Sequence, residues 1–253
     1  MPILFPVNRI SNGEFEFEKR KYKFPINDPN TKSHIHGFLH KAEFNLIDQS
    51  DNFVKCIYLS DNLYDFFPHK FAVEITYLLS KKGLIQEIYI YNLSNTNMPI
   101  FLGLHTTFNI PFIKDSLGEN IRVFSGLEYE IERNSNYVPT GRILPHDEIF
   151  YQLNNGEFIP FGNKISKHFR ANKNGKIEIR DIYKKIKVVY DVDKQFSWRL
   201  FYNGDANSFI CLEPQTCIVD CPNTVFDRND VGFDYIKPTS HKKYTSQIYI
   251  EKF

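Results

Sequence analysis

Alanine, the strongest helix former, occurs in this 253-residue chain only as Ala42, Ala72, Ala171 and Ala206, which weighs against a helical fold. Neither sign of charge is in excess: 31 Lys and Arg face 30 Asp and Glu, for a net charge of +1. Such a chain carries no field that would draw in nucleic acid or an anionic membrane. No apolar run reaches the ~20 residues of a membrane-spanning helix. The opening Met1-Pro2-Ile3-Leu4-Phe5-Pro6 has no basic region and too short an apolar stretch for a signal peptide, so a cytoplasmic location is expected. Cysteine is limited to Cys56, Cys211, Cys217 and Cys221, and the last three are separated by five and three residues, not by the spacing of a zinc knuckle. Reduced thiols are expected, none of them a nucleophile. Linkers, low-complexity tracts and internal repeats are also missing, so residues 1–253 read as one domain.

What the chain has is aromatic residues, 24 Phe and 15 Tyr, and an apolar share of 42%, enough for a sizeable core. Aromatic and β-branched residues favour strands. Period-2 alternation recurs. Phe15 and Phe17 lead through Glu18-Lys19-Arg20-Lys21 to Tyr22 and Phe24, which reads as a hairpin. Phe71, Val73, Ile75, Tyr77 and Leu79 alternate, Lys81-Lys82-Gly83 turns the chain, and Leu84 to Asn92 reads as the return strand. Further strands are expected at Ile186 to Val192, Ser197 to Tyr202, Phe209 to Glu213 and Tyr244 to Ile250, with a polar loop from Asn203 to Ser208. No segment shows a helical period. The expectation is an all-β, antiparallel sandwich.

Two segments carry the chemistry. Gly103-Leu104-His105-Thr106-Thr107-Phe108-Asn109 presents a histidine at a strand end, and Leu212-Glu213-Pro214-Gln215-Thr216 presents a carboxylate beside an amide. Burial raises a carboxylate's pKa and hydrogen bonds from neighbours such as Gln215 lower it, a balance that leaves a usable base. A histidine and a glutamate face to face form a proton-transfer pair suited to an uncharged polar centre such as a sugar carbon. Asn8-Arg9 interrupts an apolar segment, where an arginine could hold a hydroxyl or a carboxylate. His34 and His36, at i and i+2 on a strand, would share a face and could bind a metal with Glu43 nearby, but the spacing fits no metal motif well.

In order along the chain, Ile3-Leu4-Phe5-Pro6 with Asn8-Arg9-Ile10, Ile35-His36-Gly37-Phe38, Met98-Pro99-Ile100 with Gly103-Leu104-His105 and Phe108-Asn109, and Cys211-Leu212-Glu213-Pro214-Gln215-Thr216 with Asp220 and Pro222-Asn223 resemble the blocks of the aldose 1-epimerase (galactose mutarotase) family. The resemblance implies a β-supersandwich and interconversion of the α and β anomers of a free hexose. It makes Glu213 the base at the C1 hydroxyl and His105 the acid at the ring oxygen. Arg9, His36 and Gln215 become the substrate-binding residues. It implies no metal and no cofactor, and a small-molecule aldose as partner; the oligomeric state stays open. Compared with the family, the chain is expected to lack N-terminal strands, and it has no aspartate in Ile165-Ser166-Lys167-His168-Phe169, where many members contact the sugar. Three alternatives remain: a hexose-6-phosphate mutarotase using Lys164, Lys167, His168 and Arg170 as a basic rim, a non-catalytic carbohydrate-binding sandwich, and a metal-dependent cupin-like enzyme, whose second metal motif His105 with Asn109 matches poorly.

Overall fold

The alternation read from the sequence becomes cross-strand rows. Tyr58, Val73 and Ile90 stand side by side on three neighbouring strands, as do Ile75, Ile88 and Tyr244, and all six are buried. Such rows are the packing unit of a sheet with one face turned inward. In the computed structural model, which describes residues 2–61 and 66–253, they belong to one of two antiparallel sheets of eight strands each. Met1 of the opening block lies outside the described residues.

The first sheet runs in the order Ile3–Leu4, Gly103–Leu104, Phe209–Gln215, Trp198–Tyr202, Ser166–Ala171, Leu127–Arg133 and Pro139–Leu144, with Thr106–Asn109 also paired to Phe209–Gln215. The second runs Ile121–Ser125, Lys176–Asp181, Ile186–Val192, His241–Lys252, Gly83–Asn92, Lys70–Ser80, Phe53–Asp61 and Asn45–Gln49. The sheets meet through one continuous apolar cluster. Across it the Thr106 hydroxyl donates to the Tyr190 phenol at 3.0 Å, and Phe108 packs on the Tyr190 ring. The strands and the Asn203–Ser208 loop expected from the alternation form within a few residues of their expected ends. The Phe17–Arg20 turn places Glu18 and Lys19 both at positive φ, as a tight two-residue hairpin requires.

One helix, Glu148–Asn155, was not expected. Its two turns are too short to display a period, but its ends are well marked: Asp147 caps the Phe150 amide, and Gly156 closes it in the left-handed region. None of the helices among the described residues is long and apolar enough to cross a membrane. All four cysteines are unpaired.

The first sheet is covered on its other face too, and that positions the site. A short ribbon pairs Arg9–Ser11 with Ser33–Ile35. Buried Asp220 pins it, accepting from the Ser11 amide at 3.0 Å and the Ser11 hydroxyl at 2.6 Å, while the Asp220 amide donates to the Arg9 carbonyl at 3.0 Å. Beyond the ribbon the chain passes against Phe5 so closely that a Cβ at Gly37 would lie 2.0 Å from the Phe5 carbonyl oxygen, and Gly37 has φ +61°. Gly37→Ala should therefore destabilise the fold by at least about 2 kcal/mol, read as a lowered urea midpoint with unchanged slope. An unchanged midpoint would show that the Phe5–Gly37 approach is not a structural constraint.

Candidate active site

Strand register brings the two chemical segments together. Gly103 stands opposite Gln215 and Thr106 opposite Leu212, so His105 faces Glu213 across the ladder. Along Phe209–Gln215 the side chains alternate: Ile210 and Leu212 enter the core between the sheets, while Cys211, Glu213 and Gln215 share the face beneath the ribbon. On the far side Glu213 is paired with Leu200. The result is a His105 Nε2 to Glu213 Oε1 distance of 3.3 Å, with the Glu213 side chain 3% exposed and that of His105 27% exposed.

Arg9, His36, His105 and Glu213, four of the five residues singled out in the sequence, line one cavity of about 360 Å³. Gln215 does not. It is fully buried beside Glu213, and its amide donates to Glu213 Oε2 at 3.3 Å, so it positions the carboxyl from behind. Two residues absent from the sequence reading join the lining, Arg133 and Tyr137. Arg133 continues the apolar face of Leu127, Tyr129 and Ile131, and that alternation was the available signal for it. Its guanidinium donates to the Ser166 carbonyl at 2.5 Å and lies 5.7 Å from the Tyr137 ring. Arg9 lies 4.7 Å over the same Tyr137 ring and is held by Asp28 at 3.1 Å.

The basic rim proposed for a phosphosugar does not form. None of Lys164, Lys167, His168 and Arg170 lines the cavity. Alternation turns Lys167 to the opposite face, where it pairs with Glu130 and Asp147. His168 is wholly buried against Trp198, and Arg170 donates to the Asp230 carbonyl. The shared face expected for His34 and His36 also fails. His36 has φ +66°, which ends the strand alternation, so His34 packs among Phe24 and Phe66 while His36 turns to the cavity, its ring 5.3 Å from that of His105. Glu43 is exposed.

Burial governs the electrostatics. It pushes the Glu213 carboxyl up to about 8, against the Gln215 hydrogen bond and the charges of Arg133 and Arg9, which pull it down. Burial likewise lowers His105 below its ordinary value, and it drives His36, facing His105 and Arg9, down to about 3. Near neutral pH these shifts favour a protonated carboxyl beside a neutral imidazole, and they keep His36 neutral there too. The site can pass a proton between two carriers at the wall of a cavity lined with hydrogen-bond donors, which is acid–base chemistry on a polar, uncharged group.

A profile of the family described as "Aldose 1-epimerase" matches residues 1–230. The chain is 26% identical over 262 aligned positions to the chromosomal protein LacX of Lactococcus lactis subsp. lactis, covering 98% of this chain and 84% of that protein. It is 33% identical to the plasmid-borne LacX of the same organism over 84% of this chain and 74% of that protein. Among solved structures, a galactose mutarotase-like protein from Clostridium acetobutylicum superposes with a TM-score of 0.92 at 33% identity, over 100% of this chain and 79% of that one.

Infrared difference spectra between the protein and Glu213→Gln should show a protonated carboxyl band at about pH 7 that gives way to carboxylate through about 8. A carboxylate band already present at about pH 5 would contradict the one-proton pair.

Proposed function

Because this chain belongs to the aldose 1-epimerase family, we propose that it is a mutarotase that interconverts the α and β anomers of a free hexose. The observation that carries the reading is the 3.3 Å contact between His105 Nε2 and Glu213 Oε1 at the wall of the cavity. Transfer of the shared proton from Glu213 to His105 gives a carboxylate and an imidazolium. Arg9 and Arg133 favour the carboxylate form. Glu213 then takes the proton of the C1 hydroxyl while His105 gives its proton to the ring oxygen. The bond from C1 to the ring oxygen breaks, its electron pair goes to that oxygen, and an open-chain aldehyde remains. The pair is now back in its neutral form. Rotation about C1–C2 presents the other face of the aldehyde, and reclosure returns both protons by the reverse path. Two positioned carriers suffice, with no step that calls for a redox group. His36, neutral at any working pH, and Arg9 bind sugar hydroxyls and the ring oxygen. Arg133 is the further substrate contact. A small neutral aldose is the expected partner, since Lys164, Lys167, His168 and Arg170, the residues sought as a phosphate rim, all lie away from the cavity.

The anomeric proton signals of freshly dissolved α-glucose and α-galactose should equilibrate faster with the protein than in buffer, and Glu213→Gln should lose about 10²–10⁴-fold of that acceleration. No acceleration by folded protein, or full activity in the mutant, would overturn the reading; acceleration with glucose 6-phosphate alone would move the substrate to phosphosugars. Arg133→Ala should lower kcat/KM by roughly 10–100-fold, as expected for the loss of a charged hydrogen bond to substrate. A change of less than about twofold would remove Arg133 from the binding set.

A further inference from the structure

Cys211 has no part in the proton chemistry, yet it sits beside it. Its Sγ, a ring nitrogen of His105 and a Glu213 carboxylate oxygen all lie within 4.8 Å of one another, the one such group of three potential ligands among the described residues. We propose that these three side chains form a binding site for a thiophilic divalent cation of the zinc class, and that the bound ion switches the site off. The inhibitory half of this proposal rests on the mutarotase reading; the binding half does not.

The geometry is already close to that of a zinc centre. Zinc bonds of ~2.0–2.3 Å at tetrahedral angles put ligand atoms roughly 3.3–3.8 Å apart. The Nε2–Oε1 edge is 3.3 Å, and the thiol reaches the other two by a shift on the order of 1 Å. The scaffold is rigid. Cys211 and Glu213 are i and i+2 on one central strand, so they share a face, and His105 stands opposite Glu213 on the neighbouring strand. The Thr107 hydroxyl lies 3.3 Å from Sγ and can donate to a thiolate, the kind of outer contact that steadies a metal-bound sulfur.

Burial raises the free thiol to about 11, so Cys211 is protonated until an ion arrives. Binding displaces two protons to solvent, one from the Cys211 thiol and one from the Glu213 carboxyl. The thiolate and carboxylate then balance the dication, and the imidazole is the neutral third ligand. The fourth position faces the cavity and takes water or a hydroxyl. Arg9 and Arg133, both close enough to act on Glu213, oppose the cation and limit its affinity. The sulfur selects zinc and cadmium over magnesium and calcium. Since Nε2 and Oε1 are the atoms between which the proton must move, an ion on both removes acid and base together.

Metal-free protein titrated with Co²⁺ should take up one equivalent and develop a thiolate-to-cobalt charge-transfer absorption, absent in Cys211→Ser. Zinc should displace the cobalt, and Cys211→Ser should weaken zinc binding by about 10–100-fold while keeping wild-type anomerisation without metal. Zinc, but not magnesium, should inhibit the wild type, and a chelator should restore it. No sulfur charge-transfer band in wild type, or equal zinc affinity in Cys211→Ser with native circular dichroism, would overturn the site. Charge transfer in a protein that accelerates no anomerisation would retain the metal site and discard the mutarotase reading. Anomerisation untouched by zinc at saturating cobalt-site occupancy would discard the inhibition.

Discussion

Glu213 and His105 stand 3.3 Å apart, the carboxyl buried and the imidazole open to the cavity, and much of the surrounding architecture serves that contact. A carboxyl so placed must be neutral or well supported, since an isolated buried carboxylate is far too costly. The fold provides both options. Leu200 and the adjoining strand dry the carboxyl and hold its proton on, while the Gln215 amide and the guanidinium groups of Arg9 and Arg133 make its loss tolerable. Remove the burial and Glu213 becomes an ordinary carboxylate beside an ordinary histidine. Without the supporting charges it would stay a carboxylic acid and could not act as a base.

The division of labour follows from the two faces of the first sheet. One face of its central strand gives Ile210 and Leu212 to the common core, and the other gives Glu213, backed by Gln215, to the site. The rigidity of the proton pair is thus that of the core itself, because the same backbone carries both. The opposite wall is different in kind. Arg9, His36 and Tyr137 come from a ribbon and a turn, and they are fixed by Asp28, Asp220 and the tight approach of Gly37 to Phe5. His105 and Glu213 sit on the sheet, while Arg9, His36 and Tyr137 sit on what covers it.

The sequence revealed the elements governed by local pattern. Strict alternation marked the Lys70–Ser80 and Gly83–Asn92 pair, and an apolar run ending in Glu213 marked the Phe209–Gln215 strand. Relations set by tertiary structure were harder to see. His36 was assigned to the same face as His34 because a strand was assumed to continue, and a single left-handed residue breaks that rule. Arg133 sat at the end of a clean alternation, Leu127, Tyr129, Ile131, but nothing local says that this face looks onto Glu213; only the strand order does. Lys167 and His168 failed as a rim for the complementary reason. Neighbours on a strand point to opposite faces, so a run of basic residues in sequence is not a basic patch in space.

The bonds from Ser11 to Asp220 join positions 209 residues apart. At the usual ~5–20 residues per second of translation, the ribbon bearing Arg9 leaves the ribosome on the order of 10–40 s before its anchor is made. During that interval Phe5 has ring partners at hand in Phe38, Phe67 and Phe71, but the Ser11 end of the ribbon has nothing to hold it. The wall of the cavity that carries Arg9 is therefore completed only when nearly the whole chain is available.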